Sequence, residues 1–219
     1  ASPLVRAGVD MKEGDIIEAV NGIKATNVAD LRELIRDRDN LQVLLRVKSA
    51  LPAGGYGESR DVVIQPISSG QESDLRYDEW EFTRRQIVEE QGKGELGYLH
   101  LRAMGSDNMS EFAKNYYPVF NRKGLIIDVR HNRGGNIDSW ILSRLMRKAW
   151  FYWQPRVGKP TWNMQFAFRG PMVTLCNEAT ASDGEAFSEG FRRLGLGKVI
   201  GTRTWGGEIW LSSSNVLVD

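Results

Sequence analysis

Residues 125–135 read LIIDVRHNRGG, and this short stretch sets the fold class of the chain. The mainly apolar run 125–129 is typical of a buried strand, and a glycine pair follows it before the next helical pattern. Similar apolar runs occur at 98–101, 172–177 and 199–200, separated by helical patterns. Because strands that alternate with helices indicate βαβ crossover units, the sequence predicts an α/β core.

The helices of this core are predicted at 109–120, 137–150 and 184–194. A longer helical pattern, 73–91, precedes the core and offers Leu75, Phe82 and Ile87 as candidate packing residues. The segment 74–95 holds seven acidic and four basic residues. Such a density of charge is typical of a solvated arm.

The first 68 residues predict a small α+β unit. Its first strand ends at the turn signal Asn21-Gly22, and a helix that Asn27 or Asp30 can cap is expected to run through Arg38. The strands of the unit are expected at 14–20, 42–47 and 60–65.

Composition excludes several classes of protein. The 219 residues include 29 Lys plus Arg and 28 Asp plus Glu, so the net charge of +1 gives no steering toward nucleic acid or an anionic membrane surface. Cys176 is the single cysteine, and His100 and His131 lie far apart, so neither a disulfide nor a metal site is expected. No apolar run approaches the roughly 20 residues of a membrane span. No cofactor is predicted.

Two strand ends carry candidate chemistry. Gly134 and Gly135 would let backbone N–H groups approach an oxyanion, although a glycine pair after a strand is more often a simple turn. Ser182 follows the strand at 172–177 and precedes a helix, a position where acyl-transfer nucleophiles are found. The segment 182–185, Ser-Asp-Gly-Glu, also spells a helix capping box, and that alternative stays open.

Three ordered motifs, at 128–135, 177–184 and 201–207, together resemble the tail-specific protease family, in particular its tricorn core protease branch. The resemblance runs from about residue 68 to residue 219. It implies a crotonase/ClpP-like α/β core of βαβ units, preceded by a partial PDZ-like α+β domain. The implied organisation is a PDZ-like domain without its first strands at 1–68, a helical linker or arm at 69–96, and a protease core, incomplete at its C-terminus, at 97–219.

The resemblance also implies roles for individual residues. Ser182 would be the nucleophile of a serine peptidase, with the backbone N–H groups of Gly135 and Asp183 as the oxyanion hole. Asp183 could instead act only as a first-turn helix acid. The implied substrate-binding residues are Gly134, Trp153, Gly206 and Gly207.

The catalytic base is expected outside the given sequence. Bacterial members of the family use a lysine at the position that Gly207 occupies here, whereas the tricorn branch uses a histidine before its PDZ domain and a glutamate that would follow Asp219. His131 is an alternative base, and His100 is expected to point off a strand face. The isolated segment is therefore predicted to be almost inactive. A catalytically silent peptide-binding scaffold is the alternative function, and an acyl-CoA enzyme of the crotonase-like fold is disfavoured.

The resemblance predicts peptides or unfolded polypeptides as substrates and a homo-oligomer as the assembly. Trp153 stands where the tricorn branch has an acid that selects basic side chains, so an apolar or relaxed pocket is expected. The aromatic run 150–153 could equally be a core or oligomer contact. The cytoplasm is the compartment that the resemblance favours, while a single cysteine fits the periplasm as well.

Overall fold

The computed structural model describes residues 2–208, and the chain divides into two compact units, Ala1–Trp80 and Glu81–Asp219. A 23-residue helix, α1 (Ser69–Gln91), includes the boundary between the two units. No helix in the described part of the chain is long and apolar enough to cross a membrane.

The first unit is built on a four-stranded antiparallel sheet in the order β2-β1-β3-β4. Alternate residues of β3 are buried, as expected for a sheet that covers a core with one face. Val20, Val43, Leu45 and Val47 form the centre of that core. The strands are β1 (Ile16–Val20), β2 (Ile23–Lys24), β3 (Val43–Ala50) and β4 (Tyr56–Ile64).

The helix expected to run through Arg38 is wrong. Asp30 does act as the cap, since its carboxylate accepts a hydrogen bond of 2.9 Å from the backbone N–H of Arg32. Only a 3-10 turn follows, Leu31–Leu34. The chain then passes through Asp37 with φ of 56°, a left-handed conformation that no helix can continue through.

Helix α1 (Ser69–Gln91) has no buried residue within the described chain. Leu75 is half-buried, but Phe82 and Ile87 are exposed, so the prediction that these two pack is wrong. Ion pairs one turn apart, such as Arg76 with Glu72, line its surface.

The second unit is an α/β layer structure around a parallel sheet in the order β10-β9-β6-β5. The predicted βαβ pattern is therefore present. In this order β6 lies between β5 and β9, and the carboxyl ends of these three strands share one edge. The strands are β5 (Leu96–His100), β6 (Gly124–Asp128), β7 (Phe151–Trp153), β8 (Thr161–Asn163), β9 (Met172–Cys176) and β10 (Gly197–Gly201).

Three helices connect the strands of this sheet, and their apolar side chains fill the core with those of β5 and β6. The helices are α2 (Ser106–Tyr116), α3 (Asp138–Leu145) and α4 (Asp183–Arg193). The helix predicted at 137–150 is too long, because the chain leaves α3 at Leu145 and forms the antiparallel hairpin of β7 and β8. The predicted helix 109–120 in fact begins at Ser106 and ends at Tyr116.

Candidate active site

Ser182 lies at a sharp turn between β9 and α4. Its φ of 50° and ψ of −126° are unusual for a residue with a side chain and cost on the order of 1–3 kcal/mol, so the surrounding structure must hold it there. The side chain makes no cap hydrogen bond to the helix, because the N–H of Glu185 donates to the Ser182 backbone carbonyl at 2.6 Å, and the hydroxyl has no hydrogen-bond partner among residues 2–208. The hydroxyl is thus available for chemistry.

The glycine pair after β6 packs directly against this serine. A Cβ on Gly134 would lie 2.6 Å from Cβ and 3.0 Å from Oγ of Ser182, and Gly134 has φ of 81°. A Cβ on Gly135 would lie 1.9 Å from the carbonyl oxygen of Met104. Both positions therefore require glycine, and the structure brings the glycine pair and Ser182 together.

Most backbone N–H groups around Ser182 already have acceptors. The N–H of Gly134 donates to Asn132 Oδ1 at 2.8 Å, and that of Gly184 donates to the carbonyl of Ala181 at 3.0 Å. Within the described residues, the N–H groups of Gly135 and Asp183 have no acceptor. Two unpaired donors therefore flank the serine, an arrangement that can receive a developing negative charge.

Asn132 holds the glycine pair in place, and sequence reasoning missed it. It is fully buried, and its side chain donates to the carbonyl of Leu101 at 2.6 Å and accepts from Gly134 N–H. The backbone carbonyl of Asn132 accepts a hydrogen bond from the N–H of Ala181 at 2.9 Å. One residue therefore joins the ends of β5, β6 and β9. The available signal was an asparagine beside a glycine pair after a buried strand.

The Asp183 side chain does more than favour the start of its own helix. It is only 5% exposed, and its Oδ2 accepts from the N–H groups of Ile137 at 2.9 Å and Asp138 at 3.0 Å. Its carboxylate thus caps α3, which corrects the alternative of a simple first-turn acid of α4. Burial, helped by the neighbouring Asp138 carboxylate, raises the pKa of Asp183 to about 6.

The capping box at 182–185 is half formed. Glu185 Oε2 accepts from the N–H of Ser182 at 3.1 Å, while the N–H of Glu185 donates to the Ser182 backbone carbonyl at 2.6 Å and not to its hydroxyl. The same carboxylate accepts from the N–H groups of Gly206 at 2.5 Å and Gly207 at 3.0 Å. Burial alone would raise the pKa of Glu185, but the hydrogen bonds from Thr204 and these backbone groups lower it. Glu185 therefore brings Gly206 and Gly207 to the Ser182 turn.

Trp153 is not joined to this group. It lies on β7 and is 61% exposed. Its ring meets that of Phe151 in an edge-to-face arrangement with centroids 5.1 Å apart, and its indole nitrogen lies 3.4 Å from Asn163 Oδ1. Both contacts stay within or next to the hairpin, and neither reaches Ser182.

Both histidines have contacts outside the Ser182 group. The N–H of His131 donates to Asn177 Oδ1 at 3.0 Å, and its Nε2 lies 3.3 Å from Asn177 Nδ2. His100 is fully buried at the end of β5. Burial lowers the pKa of His100 to about 4, so its imidazole is neutral at pH 7. Among the described residues, no group of three or more His, Cys, Asp or Glu side chains could hold a metal ion.

Comparison with known families identifies the chain's relatives. The family model described as peptidase family S41 matches residues 95–219. The chain belongs to peptidase family S41. The model of the tricorn protease PDZ domain matches residues 1–69 of this S41 chain. These matches confirm the resemblance seen in the sequence motifs.

The most similar S41 relatives include tricorn proteases from several organisms. Tricorn protease homolog 1 of Streptomyces coelicolor is 38% identical over 218 residues, which cover 100% of this chain and 20% of that protein. The tricorn protease of Thermoplasma acidophilum is 33% identical over 218 residues, with the same coverage of 100% and 20%. The chain thus spans about a fifth of the length of these relatives.

A solved structure supports the fold of this S41 chain. The crystal structure of the tricorn protease matches with a TM-score of 0.76 and 33% identity, covering 91% of this chain and 19% of that one. The predicted α/β core with a preceding PDZ-like α+β unit is therefore confirmed.

Proposed function

We propose that this chain supplies the nucleophile and the oxyanion hole of a serine peptidase that hydrolyses peptides through an acyl-enzyme on Ser182. The observation that carries the proposal is the Ser182 hydroxyl, without a hydrogen bond in the described chain, flanked by the unpaired N–H groups of Gly135 and Asp183. Membership of family S41 supports the same chemistry.

In the proposed reaction, Ser182 Oγ attacks the carbonyl carbon of the scissile peptide bond while a base takes its proton. The carbonyl oxygen becomes an oxyanion, which accepts hydrogen bonds from Gly135 and Asp183. Loss of one such donor typically slows catalysis about 10²- to 10³-fold. The proton passes to the leaving amine, the C–N bond breaks, and water then hydrolyses the acyl ester on Ser182.

The base is proposed to come from sequence that flanks this chain, as a histidine before residue 1 and a glutamate after Asp219. The contacts of His131 with Asn177 and the burial of His100 favour this arrangement over a base within the described chain. The glycines Gly134, Gly206 and Gly207 are proposed to line the path of the substrate backbone, since they lie beside or are tied to the Ser182 turn.

The proposed substrates are peptides or unfolded polypeptides, and the proposed assembly is a homo-oligomer, because the relatives are tricorn proteases. We retain Trp153 as a proposed determinant of an apolar pocket. Its exposed ring lies outside the Ser182 group in this unit, so this role requires that the substrate or a second copy reach the hairpin.

A catalytically silent peptide-binding scaffold is the second candidate. It is favoured by one observation, the lack of a base hydrogen-bonded to the Ser182 hydroxyl among residues 2–208. The two candidate functions differ in whether the hydroxyl oxygen of Ser182 reacts as a nucleophile.

The test is fluorophosphonate labelling of the chain expressed together with the sequence that flanks it in its gene. Label is expected on Ser182, and is expected to vanish in Ser182→Ala. Ser143→Ala is a matched control, because Ser143 is an exposed serine of α3 whose hydroxyl donates only to the carbonyl of Trp140. Absence of label from folded protein that still binds peptide would favour the silent scaffold.

A further inference from the structure

We infer that the Asp183 carboxylate is a positioning group that fixes the two oxyanion donors relative to each other, an inference that rests on the proposed function. The backbone N–H of Asp183 is one proposed donor. Its side chain reaches across to the segment that immediately follows Gly135, which carries the other donor. A single residue therefore spans both halves of the proposed oxyanion hole.

The glycine pair is anchored on one side by the main chain of Met104. Met104 N–H donates to the carbonyl of Gly134, and Asn136 N–H donates to the carbonyl of Met104, each at 2.8 Å. These bonds hold the glycine loop against the segment that follows β5, but they do not connect the loop to α4. Asp183 Oδ2, through its bonds to Ile137 and Asp138, provides a direct side-chain connection from α4 itself to the segment after the glycine pair.

The two bonds of Asp183 have the geometry of a firm link. Both are close to the usual length for N–H···O bonds, and a buried carboxylate that accepts from backbone N–H groups makes stronger bonds than a neutral acceptor. The acceptor also serves the first turn of α3, where unpaired N–H groups and the helix dipole favour a negative charge. Loss of this carboxylate leaves one buried donor, Ile137 N–H, and one part-buried donor, Asp138 N–H, without this acceptor and lets the α3 start move away from α4.

The consequence for catalysis is specific to the transition state. A shift of a few tenths of an ångström in the separation of the two donors weakens bonds to an oxyanion more than contacts to an uncharged ground state. Because both donors remain present, the loss is expected to be smaller than removal of a donor, on the order of 10- to 100-fold.

Asp183→Ala and Asp183→Asn separate geometry from charge. The amide oxygen of asparagine can accept both N–H bonds, so Asp183→Asn is expected to keep kcat within about threefold, whereas Asp183→Ala is expected to lower kcat about 10- to 100-fold with little change in KM. Asp107→Ala is the matched control, because Asp107 is an exposed acid in the first turn of α2 that makes no bond to another helix within residues 2–208. It is expected to behave as the unmodified protein.

The affinities for two matched ligands distinguish a positioning role of Asp183 from a merely structural one. A peptide aldehyde forms an oxyanion adduct on Ser182, and the matching peptide alcohol binds without one. In the chain with its flanking sequence, Asp183→Ala is expected to weaken aldehyde binding at least about tenfold while alcohol binding is unchanged. Equal weakening of both ligands, or no weakening of either, would overturn the inference.

Failure of the proposed function has a different signature, since the unmodified protein would then bind aldehyde and alcohol alike. If Asp183→Ala does not fold, Asp183→Glu tests the same point. Its longer carboxylate keeps the charge but displaces the segment after Gly135, so selective loss of aldehyde affinity is again expected. Unchanged aldehyde affinity in folded Asp183→Glu counts against the inference.

Discussion

Replacement of Asn132 by alanine tests whether this buried side chain holds the glycine pair. The change removes two hydrogen bonds, the one donated to the carbonyl of Leu101 at 2.6 Å and the one accepted from Gly134 N–H at 2.8 Å. Each buried backbone group left without a partner costs about 1–3 kcal/mol. The free energy of unfolding is therefore expected to fall by about 2–6 kcal/mol.

Urea unfolding followed by tryptophan fluorescence measures this change. A loss of about 3 kcal/mol corresponds to a roughly 150-fold shift in the unfolding equilibrium, well above experimental error. Asn121→Ala is the matched control, since Asn121 is exposed, and it should change stability by less than about 0.5 kcal/mol. A loss below about 1 kcal/mol for Asn132→Ala, with an unchanged m-value, would refute the reasoning.

Three further predictions concern Gly135, Glu185 and Asp183. Gly135→Ala forces a Cβ to within 1.9 Å of the Met104 carbonyl, so fluorophosphonate labelling should fall at least about tenfold even in folded protein. Glu185→Ala should increase amide hydrogen exchange at Gly206, whose N–H loses its acceptor at 2.5 Å, while Glu185→Gln should restore part of the protection. Folding raises the pKa of Asp183 from 3.8 to about 6, so the folded state binds this proton more tightly than the unfolded state. The contribution of Asp183 to the free energy of unfolding therefore falls as pH rises from about 4 through 6. Asp183→Asn should remove this part of the pH dependence, as measured by urea titrations at pH 4.5 and 7.5.

The sequence predicted the parts of the fold that depend on local pattern. Apolar runs located β5, β6 and β9, and the motifs around Ser182 and the glycine pair identified the two strand ends that meet. The periodicity of Leu31, Leu34 and Ile35 correctly predicted a face that packs on the core of the first unit. The same periodicity could not reveal that the helix stops, because Asp37 and Asn40, which adopt left-handed backbone conformations here, are residue types that also occur in other conformations.

The hydrogen-bond network of the site could not be predicted from the sequence. Asn132 and Leu101 are 31 positions apart, and Asp183 and Ile137 are 46 apart, so no local pattern joins them. Glu185 was recognised only as a local cap, and its bonds to Gly206 and Gly207 depend on how a distant loop returns to α4. Such bonds depend on tertiary geometry, which one sequence does not display.

Under the proposed function, the hydrogen bonds of Asn132 also determine when Ser182 can become reactive. These bonds join the end of β5, the loop after β6 and the turn before α4, so they form only after all three strands have paired. Contacts between distant parts of a chain form late because closing long loops costs entropy. Under the proposed function, the hydroxyl of residue 182 in a growing or partly unfolded chain is therefore an ordinary alcohol, because the backbone groups around it are not yet in place.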